Sequence, residues 1–163
     1  MPAYRCVVVG TDGSESSYRA VERAAQLARD AGARLLLVTA YQPARPDEVA
    51  GDVDVLRAEA YKILGATPAE DALRFAADRA RRGGDSAGPA PDGRPVTESL
   101  AVPGDPVDVL LQVAGQRRAD LVVVGNRGLR GLAGRLLGSV PADVTRRAPC
   151  DVLVVHTTDH RRP

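Results

Sequence analysis

The chain has 163 residues, the length of one domain whose core buries about two-thirds of the unfolded surface. Its 22 basic and 21 acidic side chains leave a net charge of +1, with no excess to hold a polyanion or an anionic membrane. One Phe, four Tyr and no Trp are too few for a platform that stacks single-stranded nucleic acid, two Cys and two His too few for a zinc module, and 44% hydrophobic residues are enough for a core.

The first residues run directly into the apolar stretch Cys6-Val-Val-Val9 and a turn, without the long hydrophobic region and cleavage site of a signal peptide. No stretch approaches the roughly 20 continuous apolar residues of a membrane span. A cytoplasmic protein with reduced thiols is therefore expected.

Five apolar runs, at 4–10, 34–41, 95–102, 120–125 and 151–156, read as strands. Cys6 to Val9, Leu35 to Val38, Leu121 to Val124 and Val152 to Val155 show no polar alternation, as expected of strands buried on both faces. Helical stretches lie between them, so the pattern predicts an α/β fold with a parallel sheet and helices on both faces. The first helix starts near Ser14 or Ser16, buries Ala20, Ala24, Leu27, Ala28 and Ala31, and stops at Gly32. After a polar loop at 42–52, two helices are predicted: 53–64, ended by Gly65, and a second to about Arg82, restarted by the capping box Thr67-Pro-Ala-Glu70. Residues 83–94 have the Gly, Pro, Ser and Asp content of a flexible loop inside a single domain covering 1–163. Asp105-Pro106 launches the next helix to about Gln116, with Val107, Leu110, Leu111 and Ala114 buried, and a short helix spans about 140–147.

The most informative segment is 121–141. A buried strand ends at Gly125, glycines recur at Gly128, Gly131, Gly134 and Gly138, and Ser139 stands where the last helix begins. Glycine permits positive φ and close approach of a ligand to the main chain, and N–H groups converging near a helix N-terminus bind anions. Strand C-termini are also where parallel sheets bind ligands. From spacing alone, a phosphate site and a merely tight connection fit equally. Gly10-Thr-Asp-Gly13 is no dinucleotide fingerprint, and Gly134-Arg-Leu-Leu-Gly138-Ser139 is a residue short and lacks the lysine of a Walker loop.

At these residues the chain resembles the universal stress protein family, whose nucleotide-binding members carry Gly-x2-Gly-x9-Gly-Ser/Thr; Gly125, Gly128, Gly138 and Ser139 fit that pattern. Val9-Gly-Thr-Asp-Gly-Ser14, Gly104-Asp-Pro106, Ala119-Asp-Leu-Val-Val-Val124 and Arg147-Ala-Pro-Cys-Asp-Val-Leu-Val-Val155 agree, so the resemblance spans all but 83–94. It implies a three-layer sandwich of the adenine nucleotide alpha hydrolase type, with a five-stranded parallel sheet ordered 3-2-1-4-5. It implies an adenine nucleotide as ligand and a homodimer through the last strand, Asp151 to His156. Carried over by position, Thr11 and Asp12 face the adenosine, Ala40 and Val124 line the adenine slot, and Gly125, Arg127, Gly128, Gly138, Ser139 and Val140 surround ribose and phosphates. Two residues depart from the pattern. Pro141 replaces a hydroxyl residue and removes a backbone donor, and Gly10 removes a side chain beside the ribose, changes that shift preference from ATP toward a monophosphate. The motifs around Gly10 and Gly138 further resemble an actinobacterial subgroup that binds cyclic AMP.

The remaining candidates weigh less. Asp12 suits a ribose hydroxyl or a magnesium ion carried by ATP, and equally an Asx-turn or helix cap. Arg127, Arg130 and Arg135 could neutralise phosphate, Arg127 having the best placement between motif glycines. Cys6 and Cys150, with a strand between them in the implied order, stand about 9–10 Å apart, too far for a disulfide. His156 and His160 lie far from any Ser-Asp pattern, so triad chemistry is not expected. The last strand is apolar yet at an edge, where antiparallel pairing with a second copy would cover it. The leading expectation is a nucleotide-binding regulator rather than an enzyme; the alternatives are a slow magnesium-dependent ATP hydrolase and a dimeric interaction protein that holds no nucleotide.

Overall fold

In the computed structural model, residues 3–43, 55–82, 97–126 and 139–157 are described. Five strands, β1 (Cys6–Gly10), β2 (Arg34–Tyr41), β3 (Thr97–Pro103), β4 (Leu121–Gly125) and β5 (Asp151–Val155), alternate with four helices, α1 (Glu15–Ala31), α2 (Val55–Arg82), α3 (Pro106–Arg117) and α4 (Ser139–Arg147). Every strand pair is parallel and the order is β3-β2-β1-β4-β5. The expected fold class and strand order are thus observed.

Alternation along each strand divides the core in two. Val7, Val9, Leu35, Leu37, Leu121 and Val123 meet the Ala20, Ala24, Ala25 and Ala28 stripe of α1 and Leu73, Ala76 and Ala80 of α2. Cys6, Val8, Leu36, Val38, Val122 and Val124 meet Val107, Val109, Leu110 and Val113 of α3 and Val144 of α4. The central strands are apolar throughout because a helix layer covers each face, and each fully buried Leu or Val contributes roughly 1.5–3 kcal/mol relative to exposure.

Helix ends follow the sequence signals closely. Ser14, rather than Ser16, caps α1 by accepting from the Ser17 N–H, and Gly32 ends it at φ 63°. Asp105 caps α3 by accepting from Val107 N–H at 2.9 Å and Asp108 N–H at 3.3 Å, with Pro106 in the first turn. Leu27 and Ala31 of α1, expected to be buried, are only partly so, and two further expectations need correction. The pair of helices at 53–64 and 67–82 is a single helix, α2, with Pro68 inside it. Pro68 is itself exposed, and the helix runs through it without a break. On α3, Val109 and Val113 are buried while Leu111 is only partly so, because the helix fits between sheet and α4 and buries a wider arc than one stripe.

α2 is fastened to α1 by Arg79, which pairs with Glu15 and with Glu22 at 2.8 Å and lies 5.6 Å from the Tyr18 ring centroid. α4 is tied to α3 by Arg147 and Asp108 at 2.8 Å. No described helix is long and apolar enough to cross a membrane.

Candidate functional site

A cleft with about 450 Å³ of open space, counted out to its mouth, lies at the C-terminal ends of β1, β2 and β4. Its lining comes from Gly10, Thr11 and Asp12 after β1, Val38 and Ala40 of β2, Val124 and Gly125 of β4, Ser17 of α1, Pro106 and Leu110 of α3, and Val140 and Pro141 of α4. The central strands deliver small or branched apolar residues there, and the chain then leaves the sheet through turns that expose main-chain groups.

The β1–α1 turn is built from its own polar atoms. Asp12 Oδ1 accepts from the Ser14 N–H at 2.9 Å and the Ser14 hydroxyl at 2.5 Å, so the Asx-turn is real. Oδ2 has no hydrogen-bond partner among the described residues, and Asp12 lines the cleft with that oxygen still able to accept. Ser17 donates to the Ser14 carbonyl at 2.8 Å, so the proton in its 2.8 Å contact with Thr11 comes from Thr11. Thr11 is held further by its N–H to the Val38 carbonyl at 2.9 Å and by its carbonyl, which accepts from Thr39 at 2.9 Å. Hydroxyl protons are used inside the turn, and the acceptor left over is a carboxylate oxygen. Gly13 makes the turn possible: its φ is 79°, and a Cβ there would stand 3.0 Å from the Ala72 Cβ.

The opposite rim is the start of α4. Pro141 is fully buried and forms cleft wall, and as the third helical residue it offers no N–H, so this end presents fewer donors than an uninterrupted first turn. Gly125 closes β4 and Asn126 follows, donating its N–H to the Val155 carbonyl at 2.8 Å. Asn126 Oδ1 accepts from the N–H and hydroxyl of Thr157, both at 2.8 Å, and its Nδ2 lies 3.2 Å from His156 Nδ1. The residues that follow β4 and β5 therefore form one hydrogen-bonded corner beside the cleft.

Of the sequence-expected residues, the cleft brings together Gly10, Thr11, Asp12, Ala40, Val124, Gly125 and Val140. Ser139 is the exposed first residue of α4 and does not line it. Arg127, Gly128 and Gly138 lie outside the described residues, as do Arg130, Arg135, His160 and 83–94. The side chain that Gly10 lacks would find little room: a Cβ there would meet Leu110 Cδ1 at 3.0 Å and Cδ2 at 3.2 Å. Ser17, Val38, Pro106 and Leu110 were not expected at the site. Gly104-Asp-Pro106 hinted at Pro106, and Leu110 read only as core, since helical periodicity cannot tell a core contact from a cleft wall.

Cys6 and Cys150 are free thiols, with β4 between β1 and β5. Burial pushes both thiols above their ordinary range, for Cys6 with Arg34 partly opposing it. No group of three or more His, Cys, Asp or Glu among the described residues could hold a metal ion.

Comparison with known proteins adds a second line. Residues 3–156 match the model of the universal stress protein family. The chain is 50% identical over 158 residues to universal stress protein Rv1636 of Mycobacterium tuberculosis, covering 97% of this chain and all of that protein. It is 35% identical over 152 residues to a universal stress protein of Thermus aquaticus, covering 93% of this chain and 98% of that one. Among solved structures, a universal stress protein in complex with cAMP is 44% identical, with a TM-score of 0.69, covering 95% of this chain and 98% of that one.

Proposed function

The chain belongs to the universal stress protein family, and from that premise we propose that it is a single-domain, cytoplasmic homodimer that holds an adenine nucleotide as a sensor, buffer or regulator in a stress response. The observation that carries this reading is the cleft, where the Thr11-Asp12 turn faces Gly125 and the start of α4 across an apolar floor. Val38, Ala40 and Val124 offer the base aliphatic walls, which suits a chain with so few aromatic rings. Asp12 Oδ2 accepts from a ribose hydroxyl. Gly125 admits a phosphate close to the main chain, and the first turn of α4 adds free N–H groups and partial positive charge.

Cyclic AMP is the favoured nucleotide. The solved relative at 44% identity carries it, and the donor lost at Pro141 suits a single phosphate better than a triphosphate chain. With ATP, a magnesium ion would rest mainly on the phosphates, because Asp12 is the one carboxylate among the described lining residues. Among the described lining residues no second acidic or basic side chain stands beside Asp12 to activate water, so hydrolysis would be slow.

The dimer reading is supported by β5, a sheet edge whose Val152, Leu153, Val154 and Val155 remain partly exposed in one chain. The purified protein should release cyclic AMP or another adenine nucleotide on denaturation, identified by mass spectrometry, and calorimetry should show cyclic AMP binding more tightly than ATP. Absence of released nucleotide together with absence of binding heat for cyclic AMP, AMP and ATP would overturn the reading. A monomeric mass at micromolar concentration by light scattering would overturn the dimer alone.

A further inference from the structure

We infer that Leu110, working against Gly10, is a specificity-determining residue that sets the space available to the base at the apolar end of the cleft. This rests on the nucleotide reading above and adds a residue to it. Leu110 occupies two environments at once: it is only 4% exposed and packs in the core between α3 and the sheet, yet it also lines the cleft. Its methyls crowd the position a side chain at residue 10 would take, Cδ1 at 3.0 Å and Cδ2 at 3.2 Å from where that Cβ would stand. Pro106, one turn earlier on α3, continues the same wall. Val38, Ala40 and Val124, the other residues of this end, come from strands, where registered pairing holds the backbone. They offer no directional polar group through their side chains, so discrimination here works by shape.

The Gly10–Leu110 contact has a mechanical consequence. Any side chain at residue 10 would have to displace the Leu110 methyls by a few tenths of an ångström, and the core on the other sides of Leu110 is filled while the cleft is open. Enlarging residue 10 therefore narrows the cleft through Leu110, and shortening Leu110 deepens it. A methylene-sized change in an apolar pocket alters binding by about 10- to 100-fold.

The test compares cyclic AMP with its N6-benzyl, 2-chloro and 8-bromo derivatives by calorimetry on the wild-type protein and on Leu110→Ala, Leu110→Val, Gly10→Ala and Gly10→Ala/Leu110→Val. Circular dichroism and melting curves identify which variants are folded. The wild type should prefer cyclic AMP over at least one derivative by about tenfold or more, and the Leu110 variants should reduce that ratio by about 10- to 100-fold. Gly10→Ala should weaken all four ligands, and the double variant should recover part of that loss, the coupling expected of residues that share one space. A selectivity ratio unchanged in every folded Leu110 variant, or a double variant that merely adds the two single effects, would overturn the inference. If the wild type binds cyclic AMP and these ratios do not move, only the role of Leu110 fails; if the wild type binds no adenine nucleotide, the nucleotide reading fails and takes this one with it.

Discussion

The two ends of the sheet use the same residue type in opposite ways. At the end where β1 and β4 begin, Asp120 directs Oδ2 at the N–H groups of Arg5 and Cys6, at 2.8 and 3.0 Å, and keeps Oδ1 within 3.8 Å of the Arg5 guanidinium. Its own N–H donates to the Cys6 carbonyl at 2.9 Å. At the end where the strands finish, Asp12 has one oxygen closed by Ser14 and the other without a hydrogen-bond partner among the described residues. A carboxylate that accepts from main-chain N–H groups more than a hundred residues away ties the start of β1 to the start of β4; one bonded only within its own turn, beside a cleft, can receive a ligand. The lesson is that what the bonded oxygen reaches, a distant strand or its own turn, distinguishes a staple from a site.

That contrast can be broken experimentally, and the largest effect is expected at Asp120. Asp120→Ala leaves the N–H groups of Arg5 and Cys6, at the start of β1, without their carboxylate and should lower unfolding free energy by about 2–4 kcal/mol in a urea titration, while nucleotide affinity stays near wild type. Asp12→Ala should do the reverse. Losing the Asx-turn costs about 0.5–1 kcal/mol of stability, whereas calorimetry should show affinity for cyclic AMP reduced about tenfold or more. If Asp120→Ala weakens binding as much as Asp12→Ala does, the division of labour between the two ends is wrong.

Asp105→Ala offers a finer comparison, since its cap sits at the cleft end yet serves only the backbone of α3. A loss of about 1 kcal/mol in stability is expected. Because α3 carries Pro106 and Leu110 into the cleft, a change of more than tenfold in affinity would mean that the cap also positions the site.

The smallest effect concerns Cys6. Burial raises its thiol above the ordinary value of 9.0, so the native state holds its proton where the unfolded chain has lost it. Stability from this group is complete below the unfolded value and falls as pH climbs through the folded one. Unfolding free energy measured from pH 8 to about pH 10.5 should decline more steeply in the wild type than in Cys6→Ala, after correction for the variant's lower baseline. Parallel profiles would remove Cys6 as a source of alkaline sensitivity.

Much of this architecture was legible from residues in a row. Cys6 to Val9 and Leu121 to Val124 announced strands buried on both faces, and Asp105-Pro106 announced a helix start, because burial pattern and capping act over a few residues. The Gly10-Thr-Asp-Gly13 turn and Gly125 pointed to the end of the sheet where the cleft lies. Gly65 and the capping box before Pro68 misled because whether a helix runs through such signals depends on its surroundings, which are not written in the local sequence. Leu111 was given weight that belonged to Val109 and Val113, since the width of a buried arc depends on what packs against it.

By itself, then, the sequence determined the elements, the turn chemistry after β1 and the family, all of which depend on contacts between near neighbours or on patterns of residue type. The strand order followed from resemblance, not from the strands' own residues. Only the tertiary structure decided that Leu110 crowds the place of a side chain at Gly10, that Asp12 and Asp120 stand at opposite ends with different hydrogen-bond partners, and that Asn126 ties β4 to the residues after β5. Those relations join residues 30 to more than 110 positions apart. They exist only once the sheet has brought distant strands into register and the helices have filled the space around them.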